Sequence, residues 1–276
     1  MDIGSKVKLN NGVEVPVLGL GTFRSEKGAE TQKAVAWALE AGYRHIDTAE
    51  MYGNEEDVGV AVAQSGLRRQ DVFITTKLRN DDHGYESTLK ACEESLRTLK
   101  MDYIDLFLVH WPVTGLRGKT WEAFIKLYEQ GRCRAIGVSN YTIRHLDELL
   151  ATTPHVPMVN QIEIHPFLYR KDLIDYCAAR NIAVEAYSPL SKARRMDDPR
   201  IVSIAGKYQR SGAQVLIRWS LQHGWISLPK SVHQERIIEN TGVFDFALAE
   251  ADMQILDSMD EGYYTVRPDW IPDKWV

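Results

Sequence analysis

The sequence predicts an α/β fold: a single (β/α)8 barrel over residues 1–276, with a β-hairpin in front and extra C-terminal helices and a tail behind. Three observations carry this expectation. Short β-rich runs alternate with helix-patterned stretches eight times. The length of 276 residues suits the roughly 250 that such a barrel needs. Each apolar run also ends on a polar residue, as expected where strand ends meet on one face.

Taken in order, residues 6–15 (KVKLNNGVEV) alternate about Asn10-Asn11-Gly12 and predict the hairpin. The strand candidates are VLGLG (17–21), YRHID (43–47), VFITTK (72–77), IDLFLVH (104–110), RAIGVSN (134–140), MVNQIEI (158–164), AVEAYS (183–188) and WISLPKS (225–231). Between them, Leu89, Cys92, Leu96 and Leu99, and then Trp121, Phe124, Ile125 and Tyr128, recur at helical spacing. An open doubly wound sheet would carry G-x-G-x-x-G at its first strand-to-helix turn. Here the turn reads Gly19-Leu20-Gly21-Thr22-Phe23-Arg24, with arginine in the third glycine position, which favours the closed barrel.

Composition narrows the function. With 44% hydrophobic and 26% charged residues the chain has the profile of a soluble globular protein. A net charge of −5 offers no electrostatic footprint for nucleic acid or acidic membranes. Three dispersed cysteines suggest no disulfide framework, and no apolar run approaches a membrane span. A cytoplasmic protein is the expectation.

The strand ends are Thr22, Asp47, Lys77, His110, Ser139-Asn140, Gln161, Tyr187-Ser188 and Lys230-Ser231, with Tyr52 on the loop above Asp47. A phenol of pKa near 10 is a reluctant acid. At about 4 Å and an effective dielectric near 20, a lysine ammonium attracts a phenolate by about 4 kcal/mol, an upper bound of about three pKa units. Lys77 is therefore expected to lower the Tyr52 pKa, with Asp47 holding Lys77 and His110 orienting a carbonyl oxygen. The set suits protonation of a carbonyl oxygen while a nucleophile attacks its carbon. It calls for no metal, and Glu163 and His165 have no further ligands nearby. Two other readings stay open: a lyase with a Schiff base on Lys77, and a cofactor-bound barrel with a regulatory role.

The segments DTAEMYGNEE, ITTKL, LVHWP, IGVSN, NQIEIHP and LPKSVHQERIIEN, in this order, resemble the aldo-keto reductases over nearly the whole chain. The resemblance implies a TIM barrel, NADPH as hydride donor, Tyr52 as general acid tuned by Lys77 and Asp47, and His110 as a substrate-positioning group. It implies carboxamide contacts from Ser139, Asn140 and Gln161, ring stacking from Tyr187, and pyrophosphate contacts from Ser188 and Leu190. Gly21, Thr22 and Asp47 would also face the cofactor. Lys230, Ser231 and Arg236 correspond to the 2′-phosphate site, Glu239 and Asn240 to adenine contacts, and Val232 to a further cofactor contact. Two cations there predict NADPH over NADH. Phe23, Tyr52, His110 and Trp111, with Trp270 or Trp275, would line the pocket for a small carbonyl substrate.

Three departures bear on specificity. Arg79 stands where the family often has tryptophan; facing inward it would favour anionic carbonyl compounds, and facing outward it is a solvated loop residue. Lys192, Arg194 and Arg195 form a basic loop after Ser191. The loop 113–119 and the tail after Tyr263 are short, which predicts an open, permissive pocket. The resemblance leans toward a monomer.

Overall fold

In the computed structural model, which describes residues 1–275, β1 (Lys6–Lys8) pairs antiparallel with β2 (Glu14–Pro16) in the register Val7 to Val15. Gly12 takes the left-handed turn conformation (φ 88°) that the Asn-Asn-Gly sequence favours. The turn does more than reverse the chain. The Asn10 amide donates to the carbonyls of Pro157 and Asn181, and the Asn11 amide to that of Arg134. The hairpin thereby closes the N-terminal end of the barrel.

The eight predicted strands all form, as β3 (Leu20–Gly21), β4 (His45–Asp47), β5 (Phe73–Leu78), β6 (Ile104–Val109), β7 (Cys133–Ser139), β8 (Val159–Glu163), β9 (Ala183–Tyr187) and β10 (Ile226–Leu228). They pair in parallel in chain order. Gly19 N–H donates to Ser227 O at 2.9 Å and Gly21 N–H to Pro229 O at 3.0 Å, which joins the β3 edge to the β10 edge. Every residue of β5 and β6 is buried, because helices cover one face and the barrel interior the other.

The helices are α1 (Ala29–Glu40), α2 (Glu55–Gln64), α3 (Tyr85–Leu99), α4 (Arg117–Glu129), α5 (Ile143–Leu150), α6 (Lys171–Ala178), α7 (Pro199–Tyr208), α8 (Gly212–Gln222), α9 (Gln234–Glu239) and α10 (Glu250–Asp257). The helical spacing read from Leu89 to Leu99 and from Trp121 to Tyr128 falls in α3 and α4, whose core faces include Cys92, Leu96, Leu99, Trp121 and Phe124. Start signals are local: Pro199 is the first residue of α7 behind Asp198, and Ser211 with Gln214 forms a reciprocal cap on α8. α2 can lie against the end of α3 only because residue 59 is glycine, since a Cβ there would stand 2.2 Å from Leu99 O.

The tail folds back over the barrel through two short turns, Pro268–Trp270 and Pro272–Lys274. Cys92, Cys133 and Cys177 are buried free thiols. Among the described residues no helix is long and apolar enough to cross a membrane.

Candidate active site

Parallel strands bring their C-terminal ends to one face, so residues distant in sequence meet there. Asp47 ends β4, and Lys77 lies near the end of β5 beside it. The Lys77 ammonium donates to both Asp47 oxygens, at 2.7 and 2.8 Å, and to Thr48 O at 2.8 Å. All three N–H groups are thereby matched with acceptors. Burial opposes the Lys77 charge, but Asp47, Tyr52 and Glu185 together outweigh it and hold the pKa above 10.5.

The segment that carries Tyr52 is a single 3₁₀ turn, Glu50–Tyr52, ended by Gly53 at φ 68°. Asn54, at the start of α2, leaves the helix uncapped. Its side chain instead accepts from the Thr48 hydroxyl at 2.8 Å and donates to Thr22 O at 3.0 Å, tying the ends of β3 and β4 together. The turn brings the Tyr52 ring back over Lys77, with Nζ 5.1 Å from the ring centroid. Phe23 packs on Tyr52 at 5.0 Å and His110 meets it edge-on at 5.6 Å.

The expected fall in the Tyr52 pKa does not appear in the balance of effects. Burial raises the phenol above 10.0; Lys77 opposes this, and Asp47 reinforces it. The reason is that Lys77 arrives already neutralised by Asp47, while the enclosed phenolate loses its water. Tyr52 therefore stands as a protonated phenol. His110 is pushed well below 6.5 by burial, then by Lys77 and His83, and is a neutral imidazole.

The other strand ends surround this group. Ser139 Oγ donates to Gln161 O at 2.8 Å, and Thr22 Oγ1 to Asp47 O at 3.0 Å. Asn140, left-handed at φ 63°, donates to His110 O at 3.0 Å and accepts from the Tyr187 hydroxyl at 2.8 Å. Gln161 Nε2 lies between two carboxyl groups, 2.8 Å from Asp47 and 2.9 Å from Glu185. Its amide hydrogens are thus committed, and its carbonyl oxygen is the end left to meet a ligand. Beyond β9, Ser188 (φ 48°) and then Ser191, Lys192 and Ala193 all have positive φ. Leu190 packs on the core between them, and Lys192 Nζ donates to Thr265 O at 2.9 Å.

Across the seam, Gly21 bridges to Lys230, whose Nζ reaches Arg24 O at 3.5 Å. Arg24, in the third glycine position, does adopt the left-handed conformation a glycine would supply (φ 61°). Ser231 Oγ accepts from His233 N–H at 3.1 Å. Arg236 and Glu239 lie exposed on α9, Val232 is half-buried, and Asn240 is buried at the helix end. Among the described residues neither Lys230 nor Arg236 has an ion-pair partner.

Arg79 is half-exposed and paired, with Nε 2.5 Å from Asp82 and 3.4 Å from Glu50. Burial, Asp82 and then Arg79 act on Glu50, leaving its carboxyl up at about 7. Trp111 packs against Trp270 at 5.0 Å and Trp275 at 5.6 Å, so the tail adds to the aromatic wall. Within the basic loop, Arg195 pairs with Glu261 at 3.2 Å. Glu163 accepts from Thr265 N–H at 2.9 Å and lies 3.3 Å from His165 Nε2, which anchors the tail to β8.

Four residues of this region went unread in the sequence: Glu50, Asn54, His83 and Glu185. Glu185 left a signal, as the one charge in AVEAYS and two residues before Tyr187, hence on the same face of β9.

The model of the aldo/keto reductase family matches residues 17–261. Glyoxal reductase of Bacillus subtilis (strain 168) is 49% identical over 255 residues, covering 92% of each chain. The 9,11-endoperoxide prostaglandin H2 reductase of Trypanosoma cruzi (strain CL Brener) is 47% identical over 258 residues, 92% of this chain and 91% of that one. A crystal structure of a Bombyx mori aldo-keto reductase in complex with NADP superposes with a TM-score of 0.92 at 34% identity, covering 98% of this chain and 97% of that one.

Proposed function

The chain belongs to the aldo/keto reductase family and is an oxidoreductase; from that premise we propose that it reduces small aldehydes, ketones and dicarbonyls with NADPH, using Tyr52 as general acid. The observation that carries this reading is the buried Asp47–Lys77 pair beneath a protonated Tyr52, with neutral His110 edge-on to the same ring.

The residues fit a bound dinucleotide phosphate. Among the described residues Lys230 and Arg236 are cations without carboxylate partners, suited to a phosphate dianion. Ser139 and Asn140 already give their hydrogens to Gln161 O, His110 O and Ser139 Oγ, so together with the free oxygen of Gln161 they offer acceptor lone pairs to the N–H groups of a carboxamide. The Tyr187 ring is fixed by its hydroxyl bond to Asn140 and presents a flat apolar face. NADPH, when bound, supplies the hydride.

The protein's own groups manage the proton. His110, as a neutral imidazole, can hydrogen-bond a carbonyl oxygen and turn it toward the Tyr52 hydroxyl. As negative charge builds on that oxygen, the phenol passes its proton across. The Lys77 ammonium then stabilises the phenolate, at a point where no water competes. Because Arg79 is engaged by Asp82 and Glu50, the rim favours neutral over anionic carbonyl compounds. The Schiff-base reading gains no support, since Lys77 is enclosed, charged and saturated with acceptors.

The test is NADPH consumption with methylglyoxal or phenylglyoxal, followed optically. Tyr52→Phe should lower kcat by about 10²- to 10⁴-fold and leave NADPH binding, read by fluorescence titration, nearly unchanged. Near-wild-type turnover in that variant would overturn the assignment.

A further inference from the structure

We propose that Glu185 is a positioning residue for the proton donor: a buried carboxyl that carries a proton in the active protein and, by losing it, makes Tyr52 a weaker acid. The proposal rests on the assignment of Tyr52 above.

Glu185 lies in the middle of β9, fully buried. Oε2 accepts from Gln161 Nε2 at 2.9 Å, and the same nitrogen donates to Asp47 at 2.8 Å, so one amide joins the two carboxyl groups. Among the described residues Oε1 has no hydrogen-bond partner. The groups facing Glu185 are Asp47 and His45 from β4, Lys77 from β5 and Gln161 from β8; β10 sets Ile226 opposite in register. His45 Nε2 stands 4.0 Å from Oε1, beyond hydrogen-bond reach, and is 2.9 Å from Thr75 Oγ1. Burial pushes His45 down to about 3, so it offers no positive charge. Lys77 gives all its N–H groups to Asp47 and Thr48. An ionised carboxylate here would thus have an orphaned oxygen and no cation in contact, an arrangement that a dry interior strongly disfavours. A protonated carboxyl carries no charge and so escapes the largest part of that penalty. Burial and then Asp47 raise Glu185 to about 8, with Gln161 and Lys77 offsetting only part.

The consequence falls on Tyr52. With Glu185 protonated, Asp47 and Lys77 balance. Deprotonation adds a second negative charge against one cation, and negative charge near a phenol tightens its hold on the proton. Tyr52 itself ionises above 10 and Lys77 above 10.5, whereas His110 stays neutral. Glu50, at about 7, also titrates in this range, and Glu50→Gln removes it.

The experiment compares Glu50→Gln with the double variant Glu50→Gln/Glu185→Gln. In Glu50→Gln, kcat/KM for methylglyoxal should fall about tenfold from about pH 7 to about pH 9; with Glu185→Gln added it should stay flat. Infrared titration should find a protonated carboxyl band in Glu50→Gln that fades near pH 8 and is missing from the double variant. The linkage has a defined sign: a carboxyl at about 8 folded and 4.5 unfolded favours the fold fully below 4.5, and this contribution is lost as pH rises through 8. Tm should therefore decline over that window with Glu185 and lack that decline with Gln. Identical pH–rate profiles, or no carboxyl titrating near pH 8 in Glu50→Gln, would overturn the proposal. The infrared titration does not depend on Tyr52, so it reads Glu185 even if the acid is another group, and it needs no folded Glu185→Gln.

Discussion

The Lys77 nitrogen lies 2.7 and 2.8 Å from the two carboxylate oxygens of Asp47, with neither side chain more than 6% exposed. A buried pair is costly to assemble and more costly to break from one side. Lys77→Met should destabilise the protein by about 3–5 kcal/mol, since Asp47 is left charged and unpaired. Lys77→Met/Asp47→Leu should recover much of that loss. Urea unfolding of the three proteins checks this, and both variants should be inactive. Equal stability of single and double variants would mean that the stranded Asp47 charge is not what destabilises Lys77→Met.

Arg236 touches no carboxylate among the described residues and lies exposed on α9, so removing its charge should barely disturb the fold. Arg236→Ala should raise the KM for NADPH by about tenfold or more, the loss expected for one charge-assisted phosphate contact. The KM for NADH should stay within about twofold. Parallel changes for the two cofactors would remove Arg236 from the phosphate site.

The wall formed by Trp111, Trp270 and Trp275 is held partly by the tail, since Trp275 O accepts from Arg144 at 2.9 Å. Trp270→Ala removes an edge-on contact worth about 0.5–1.5 kcal/mol to Trp111. The KM for aromatic glyoxals should rise several-fold, with NADPH affinity constant. Steady-state kinetics with phenylglyoxal against methylglyoxal would reveal the difference, which should be larger for the aromatic substrate.

Gly59 and Gly206 are both helical but opposite in surroundings. A Cβ at Gly59 would meet Leu99 O at 2.2 Å, whereas nothing lies within 4 Å of one at Gly206. Gly59→Ala should cost at least about 1–3 kcal/mol through overpacking. Gly206→Ala should stabilise by about 0.5–1 kcal/mol through helix propensity. Thermal melts of the two variants should move in opposite directions.

All eight strands were legible because each is a short apolar run punctuated by a polar end. Their lengths were less so. VLGLG reduces to Leu20–Gly21, since Leu18 makes only an isolated bridge to Ser227, and WISLPKS stops before Pro229, which has no N–H to continue a ladder. The convergence of Asp47, Lys77, Gln161 and Tyr187 followed from parallel topology. The net direction of the Tyr52 shift did not, because it depends on how much water is excluded and on how fully Asp47 offsets Lys77, neither of which is encoded locally. Arg79 was ambiguous for a similar reason: its partner Glu50 lies 29 residues earlier, in a turn whose path only the folded barrel defines. Glu185 is hard to read from sequence because a charge inside a strand interrupts the apolar pattern that marks strands.

The seam between β3 and β10 has a kinetic meaning. Gly19 and Ser227 are neighbours in the barrel but far apart along the chain, and the docking carbonyls for Asn10 and Asn11 lie 123 to 171 residues further on. During synthesis, Asn10, Asn11 and Gly19 must wait for partners far along the chain before they find their places. Such long-range closure slows folding and leaves open strand edges exposed while synthesis continues. The protein should therefore gain its native resistance to proteolysis late and all at once, and nascent chains lacking β10 should depend on chaperones.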